Sequence, residues 1–199
     1  MKPSNPFRHL GHNATIYPLA RIVYPENISL GDESVIDDYA ILYGSGQGIK
    51  LGNFCHITFQ CILMAGGLIE MGDFSAIAPG GIILASTDDY LGNGFVGLGV
   101  FGSKYRNYQE KDVKIGRHVH IGAGSIIMPG VTLGDGCSIG AGSLVTKDMP
   151  EWTICYGRPC KPIKDKPREK QLRMEKEFLT EYSERHQVIP FPVLPQDRQ

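Results

Sequence analysis

The sequence predicts an all-β architecture: a triangular parallel β-helix of hexapeptide repeats, with one long inserted loop and a C-terminal α-helix. Three observations predict it. Aliphatic residues stand at Ile115, Ile121, Ile127, Leu133, Ile139 and Val145, an unbroken spacing of six. Gly116, Gly122, Gly134 and Gly140 directly follow four of them. The same step recurs upstream, from Leu30 through Ile83. A helix repeats its apolar face about every 3.6 residues and a half-buried strand about every 2, so neither explains a strict period of six. In a β-helix each hexapeptide supplies one short strand and one corner, and three hexapeptides make a coil. The aliphatic residue points inside the prism. Small residues stand where the chain turns sharply or its backbone runs close to a neighbour. Coils then stack at about 4.8 Å, so like residues lie over like residues.

Taken in order, residues 1–27 carry Pro3, Pro6, Pro18 and Pro25 and read as an irregular N-terminal cap, with a partial coil at Ile16 and Ile22. The regular β-helix spans 28–147. Its inward residues fall into five coils: Leu30, Ile36, Leu42; Leu51, Ile57, Leu63; Met71, Ile77, Ile83; Ile115, Ile121, Ile127; and Leu133, Ile139, Val145. Short corner bulges at 44–48 and at Gly66-Gly67 interrupt the count, and glycine suits such turns. The segment 84–112 is too long for a turn. Phe95, Phe101, Tyr90, Tyr105 and Tyr108 argue against free disorder there. It reads as an arm that packs on a neighbouring subunit and walls the substrate site. Residues 148–199 form a C-terminal loop, helix and tail. Pro167 opens a helix over 168–186 with Leu172, Phe178, Leu179 and Tyr182 on one stripe, which caps the prism or packs between subunits. The tail VIPFPVLPQ reads as an extended surface segment.

The chain has 199 residues, 42% of them hydrophobic, enough for a sizeable core. A net charge of −1 gives no general basic field for nucleic acid. Met1 to Leu10 lacks an apolar signal core, and no apolar run approaches membrane-spanning length, so the expected compartment is the cytoplasm. The five cysteines form no CxxC pair and read as buried free thiols.

Residues 113–147, VKIGRHVHIGAGSIIMPGVTLGDGCSIGAGSLVTK, followed by GRPCKPIK, resemble the hexapeptide-repeat acyltransferases, densely over 28–164. The resemblance implies a left-handed β-helix, a homotrimer and an acyl-CoA donor. The left hand comes from the resemblance, because the general rule for parallel crossovers favours the right. In the galactoside and maltose acetyltransferase branch the catalytic histidine follows the third coil in a T-x-H-P setting. Here that place reads STDDY, with Asp88 instead of histidine. The pairing of a "CHI" segment (Cys55-His56-Ile57) with a "DDY" segment (Asp88-Asp89-Tyr90) is similar to sugar acetyltransferases of surface-polysaccharide gene sets.

Acetyl transfer needs a base near neutral pKa, which favours histidine, a steadied oxyanion and an oriented acceptor. His56 and His120 directly precede inward residues, so both point outward, and two coils separate them, about 10 Å. His56 is the candidate base, against the reading of a surface or interface histidine. Asp88 is the second catalytic candidate, orienting the base or holding the acceptor, or else it initiates a turn. Asp89, Asp37, Asp38 and His120 are candidate substrate contacts; Asp37-Asp38 at a corner also suits plain solvation. On the CoA side the resemblance implies backbone contacts at Ala123 and Ala141. It implies nucleotide contacts from Thr146 and Lys147, and cationic contacts from Arg158, Lys161 and Lys164. Each of these lysines would otherwise be plain surface. No metal is expected.

These readings point to an acetyl-CoA-dependent acetyltransferase that N-acetylates a nucleotide-linked amino sugar for O-antigen or capsule. Saccharide O-acetylation is the close variant. A γ-type carbonic anhydrase shares the fold, but its family pattern is H-x4-H, against His118-Val119-His120 here. A silent β-helix scaffold is the remaining alternative. The outward residues Phe54, Phe59, Ile62 and Ile126 are poorly suited to water as a group, in keeping with a homotrimer whose active sites lie between subunits.

Overall fold

The computed structural model describes residues 6–186. The tail expected at VIPFPVLPQ lies outside the described residues, as do Met1 to Asn5 of the expected cap. The chain divides into two units at Lys166/Pro167.

The first unit is a three-faced left-handed prism of parallel strands. Its first face stacks His9–Leu10, Ile28–Leu30, Ile49–Leu51, Ile69–Met71, Val113–Ile115 and Thr132–Leu133. The second stacks Thr15–Ile16, Val35–Ile36, His56–Ile57, Ala76–Ile77, His120–Ile121 and Ser138–Ile139, and then Thr153–Gly157 and Cys160–Asp165. The third stacks Arg21–Val23, Ile41–Tyr43, Ile62–Met64, Ile82–Leu84, Ile126–Ile127 and Leu144–Val145.

The inward columns follow the expected register. Ile36, Ile57, Ile77, Ile121 and Ile139 pair in succession on the second face. Leu42, Leu63, Ile83, Ile127 and Val145 do so on the third. Nearly all these side chains are excluded from water, which is the main source of stability in a fold with so little local structure.

Corners are set by two repeated devices. After Gly31, Gly52 and Gly72 the next residue lends its side-chain oxygen to the coil before it: Asp32 accepts from the His12 N–H at 2.7 Å, Asn53 from the Asp32 N–H at 2.8 Å and Asp73 from the Asn53 N–H at 2.7 Å. The glycine itself is forced. A Cβ on Gly31 would lie 2.4 Å from the Gly52 carbonyl carbon. At the same corner Asn13, Glu33, Phe54, Phe74, His118 and Trp152 all adopt left-handed backbone, with φ between 46° and 57° or at 60°. That conformation is costly for a side chain with a Cβ. Stacking offsets it: Phe54 lies 4.8 Å from Phe74 and Phe74 5.1 Å from His118, both nearly parallel.

The structure adds three features to the sequence reading. The segment expected as an irregular cap holds a complete coil, because Leu10, Ile16 and Ile22 themselves keep the six-residue step. Pro18 and Pro25 sit at its corners, where a missing N–H costs no ladder hydrogen bond. The prism therefore has six coils rather than five. Beyond Val145, where a loop was expected, the chain forms an antiparallel hairpin, Thr153–Gly157 with Cys160–Asp165. The inserted segment is tied at its base by a two-stranded ladder, Ser86 with Glu110 and Thr87 with Gln109. All five cysteines are free and buried, and burial pushes the Cys55 thiol up to about 12.

The second unit holds the helix Glu169–His186, one residue shorter than expected. Its charged side pairs Arg185 with Glu181 at 2.7 Å, one turn apart.

Candidate active site

Since Ile57 and Ile121 fill the prism, the residues before them face out. His56, Ala76, His120 and Ser138 stand in one outward column of the second face. The small Ala76 leaves open space between the two imidazoles, two coils apart. Asp37 turns the corner after Ile36, one coil below His56, and its Oδ2 meets the His56 Nε2 at 3.0 Å. A carboxylate only accepts, so Nε2 carries the proton and Nδ1 keeps a lone pair when the ring is neutral. The His56 side chain is 47% exposed and Asp37 24%. The pair is thus oriented by the prism and open to a ligand.

The neighbouring candidates differ. Asp38 accepts from the Leu19 N–H at 2.8 Å and braces a corner. His118 is buried in the corner stack between Phe74 and Trp152, so of the H-x-H pair only His120 reaches the outer face.

Asp88 and Asp89 belong to the arm, just beyond its basal ladder. Asp88 Oδ1 accepts from Arg106 Nη2 at 2.9 Å, and Oδ2 from the Gly97 N–H at 3.1 Å. The Arg106 contact is the main reason that its carboxyl is held below the usual carboxylate range. The Asp88 side chain remains 29% exposed. Asp89 is buried and accepts from the N–H groups of Leu91 and Asn93, which also lower its pKa and fold the loop around it. Asp89 therefore shapes the arm, while Asp88 faces outward. His56 stands on the second face, and Asp88 on the arm that leaves the end of the third. Their hydrogen bonds go to Asp37 and to Arg106 and Gly97, and among the described residues no hydrogen bond joins the two.

Ala123 and Ala141 lie exposed at the turns between second and third faces on successive coils, linked by Gly142 N–H donating to the Ala123 carbonyl at 2.8 Å. Arg158, from the tip of the terminal hairpin, donates through Nε to the Gly142 carbonyl at 2.7 Å. These three candidates are brought together. Thr146 and Lys147 are exposed beyond the last strand of the third face, and Lys161 and Lys164 on the outer strand of the hairpin. Two cations escaped the sequence reading. Lys166 donates to the Gly136 carbonyl at 3.0 Å and the Ser138 Oγ at 3.1 Å, over the Trp152 ring, and burial lowers its pKa. Arg106, the clamp on Asp88, carries no motif; its position as an arginine within an aromatic-rich insertion was the available signal.

The family model for bacterial transferase hexapeptide repeats (six repeats) matches residues 112–147. The dTDP-4-amino-4,6-dideoxy-D-glucose acyltransferase of Escherichia coli is 34% identical over 172 residues, 86% of this chain and 88% of the relative. The galactoside O-acetyltransferase of Escherichia coli strain K12 is 30% identical over 132 residues, 63% of this chain and 58% of the relative. Among solved structures, AntD, an N-acyltransferase from Bacillus cereus in complex with dTDP and 3-hydroxybutyryl-CoA, matches with a TM-score of 0.84. It is 36% identical and covers 89% of this chain and 93% of its own.

Asp89→Ala should loosen the arm without melting the prism. Trypsin cleavage after Lys104 or Arg106 should quicken about ten-fold, a local opening that leaves the main thermal transition in place. Because the folded carboxyl of Asp89 lies lower than that of a free aspartate, its hold is complete above about pH 3.9. It is lost as pH falls through the folded value. An unchanged cleavage rate would remove Asp89 from this role.

Proposed function

The chain belongs to the hexapeptide-repeat acyltransferases, and from that premise we propose that it transfers the acetyl group of acetyl-CoA to the amine of a nucleotide-linked amino sugar. The observation that carries the reading is the reach of the likeness. The two amino-sugar and N-acyl relatives extend over nearly nine-tenths of the chain, whereas the galactoside O-acetyltransferase match covers 63%. The aspartate at the STDDY segment, where the O-acetyltransferase branch resembled above has its histidine, points the same way.

The exposed turns at Ala123 and Ala141 suit a long thioester carrier, because small side chains leave the backbone amides open to it. Thr146, Lys147, Arg158, Lys161 and Lys164 are the groups for its nucleotide end, where cations meet phosphate. Acetyl-CoA supplies an acetyl group already activated as a thioester. His56 takes the proton from the attacking nitrogen at Nδ1. Asp37 faces the resulting imidazolium through Nε2 as the new C–N bond forms, and when the thioester C–S bond breaks the CoA sulfur leaves with that proton. Asp88 holds the sugar amine, with Asp89 shaping the loop behind it. His120 lines the same outer column as His56 and contacts the sugar.

A homotrimer is part of the proposal. Ile41, Ile62, Ile82, Ile126 and Leu144 form an outward apolar row along the third face, in continuous register and only partly shielded. Met64 beside it is 43% exposed. Packing these rows between subunits removes them from water and offers a way for one subunit's His56 to meet another's Asp88. Sedimentation should give three times the 21.9 kDa chain mass, and Ile62→Arg should lower it. A stable monomer of the unaltered chain at micromolar concentration would contradict the trimer.

On this reading the enzyme works in the cytoplasm on a precursor of O-antigen or capsule. A deletion strain should lack one N-acetyl sugar in its surface polysaccharide by mass spectrometry; an unchanged polysaccharide counts against that role. The direct test is thiol release from acetyl-CoA over a panel of nucleotide-linked amino sugars and their hydroxyl counterparts. Activity confined to hydroxyl acceptors would favour O-acetylation instead. With an active acceptor, His56→Asn should lower kcat by about 10²–10⁴, with little change in CoA affinity. A turnover within a few-fold of the unaltered enzyme across pH 6 to 9 would sink the base assignment.

A further inference from the structure

We infer that Arg106 is a positioning residue for the acceptor, carrying Asp88 on a bracket built from Tyr108 and the corner glycine Gly66. The inference rests on the reading of Asp88 as the group that holds the sugar amine.

The bracket starts on the prism. Gly66 lies at the corner after the third-face strand Ile62–Met64. A Cβ there would meet the Ser86 Cβ at 2.7 Å and the Tyr108 hydroxyl at 3.0 Å, so the missing side chain leaves room for Ser86 and for the Tyr108 hydroxyl beside it. Tyr108 is further tied by its position one residue before the arm's basal ladder. The Arg106 guanidinium lies over the Tyr108 ring, its Cζ 4.8 Å from the ring centroid. From there Nη2 reaches Asp88 Oδ1 at 2.9 Å. The Arg106 Nε is enclosed and has no hydrogen-bond partner among the described residues. The aromatic face and the one carboxylate, rather than a set of acceptors, therefore fix the guanidinium plane.

This arrangement suits a group that must be held rather than buried. The Arg106 side chain is 18% exposed and Asp88 29%, so the arginine sits behind the carboxylate and the carboxylate in front of it. Each Asp88 oxygen accepts one hydrogen bond from the protein, leaving a lone pair on each for a ligand N–H. An ammonium or amine donor fits those lone pairs. The bracket spans residues that are remote in sequence, from Gly66 through Tyr108 and Arg106 to Asp88, which is how a long arm can present one carboxylate at a fixed place relative to the prism.

The test is steady-state kinetics on the full-length enzyme with acetyl-CoA and dTDP-4-amino-4,6-dideoxyglucose, or the acceptor that the panel identifies. Arg106→Met, Arg106→Lys, Asp88→Asn and the Asp88→Asn/Arg106→Met double variant are compared. Arg106→Met should lower kcat/KM for the amino sugar about 10–100-fold, the scale of a misplaced contact, while KM for acetyl-CoA stays within about two-fold. Arg106→Lys should recover part of the loss. In the Asp88→Asn background, Arg106→Met should add less than about two-fold, since residues that act as one unit are non-additive. If Asp88→Asn is damaging and Arg106→Met is not, the bracket is wrong and the Asp88 reading survives. If Asp88→Asn is itself within about two-fold of the unaltered enzyme, the reading beneath the proposal fails with it. A parallel rise of both KM values, with Arg106→Lys no better than Arg106→Met, would reduce Arg106 to a fold residue and overturn the proposal.

Discussion

Everything in this prism depends on register. Each coil lies one strand spacing above the last, and a residue is paired with its equivalent, as Ile57 is with Ile77 and Ile77 with Ile121. A slip of one residue would turn an entire column of isoleucines outward. The corners enforce the register as strictly as the core does. The Asp32, Asn53 and Asp73 side chains each cap an N–H of the preceding coil. The stacked rings of Phe54, Phe74 and His118 hold left-handed corners that isolated residues would avoid. Hydrophobic burial drives the stack, and these polar and aromatic ladders decide how it is aligned.

A rigid interior frees the exterior. Outward residues need satisfy neither core packing nor hydrogen-bond registry, so the three faces have separate characters. The first is charged, with Lys50 and Glu70 paired at 2.8 Å and Lys114 next in the column. The second carries His56, His120 and Ser138 around the small Ala76. The third is a row of aliphatics. On the proposed reading the second face serves chemistry and the third association, with Arg158 of the terminal hairpin donating to the Gly142 carbonyl at the turn between them.

The period-six pattern made the prism legible because burial allows only aliphatic residues at Ile115, Ile121 and their equivalents. The first coil was obscured by prolines that happen to occupy corners, where the fold tolerates them. His56 was legible as outward because the residue after it is inward. Its pairing with Asp37 was less so, since a diagonal contact between coils depends on corner geometry that spacing does not encode. The arm was recognisable by length and aromatic content alone. Its internal wiring, Asp88 to Arg106 and Asp89 to Leu91 and Asn93, joins residues without periodicity, and only the folded loop reveals which aspartate faces out.

The two carboxylate pairings set up different chemistry. Asp37 meets the Nε2 of a histidine, and so fixes which ring nitrogen carries the proton and leaves Nδ1 for the acceptor. Asp88 meets a guanidinium that never loses its proton, so it stays an anion but a partly neutralised one. For an amine acceptor that distinction matters. A bare carboxylate would hold an ammonium ion well and raise its pKa, which opposes the deprotonation that attack requires. With Arg106 drawing on the same carboxylate, the amine can be oriented without being fixed in its charged and unreactive form. On the proposed reading, binding is tempered on the arm so that the proton remains available to the base on the prism.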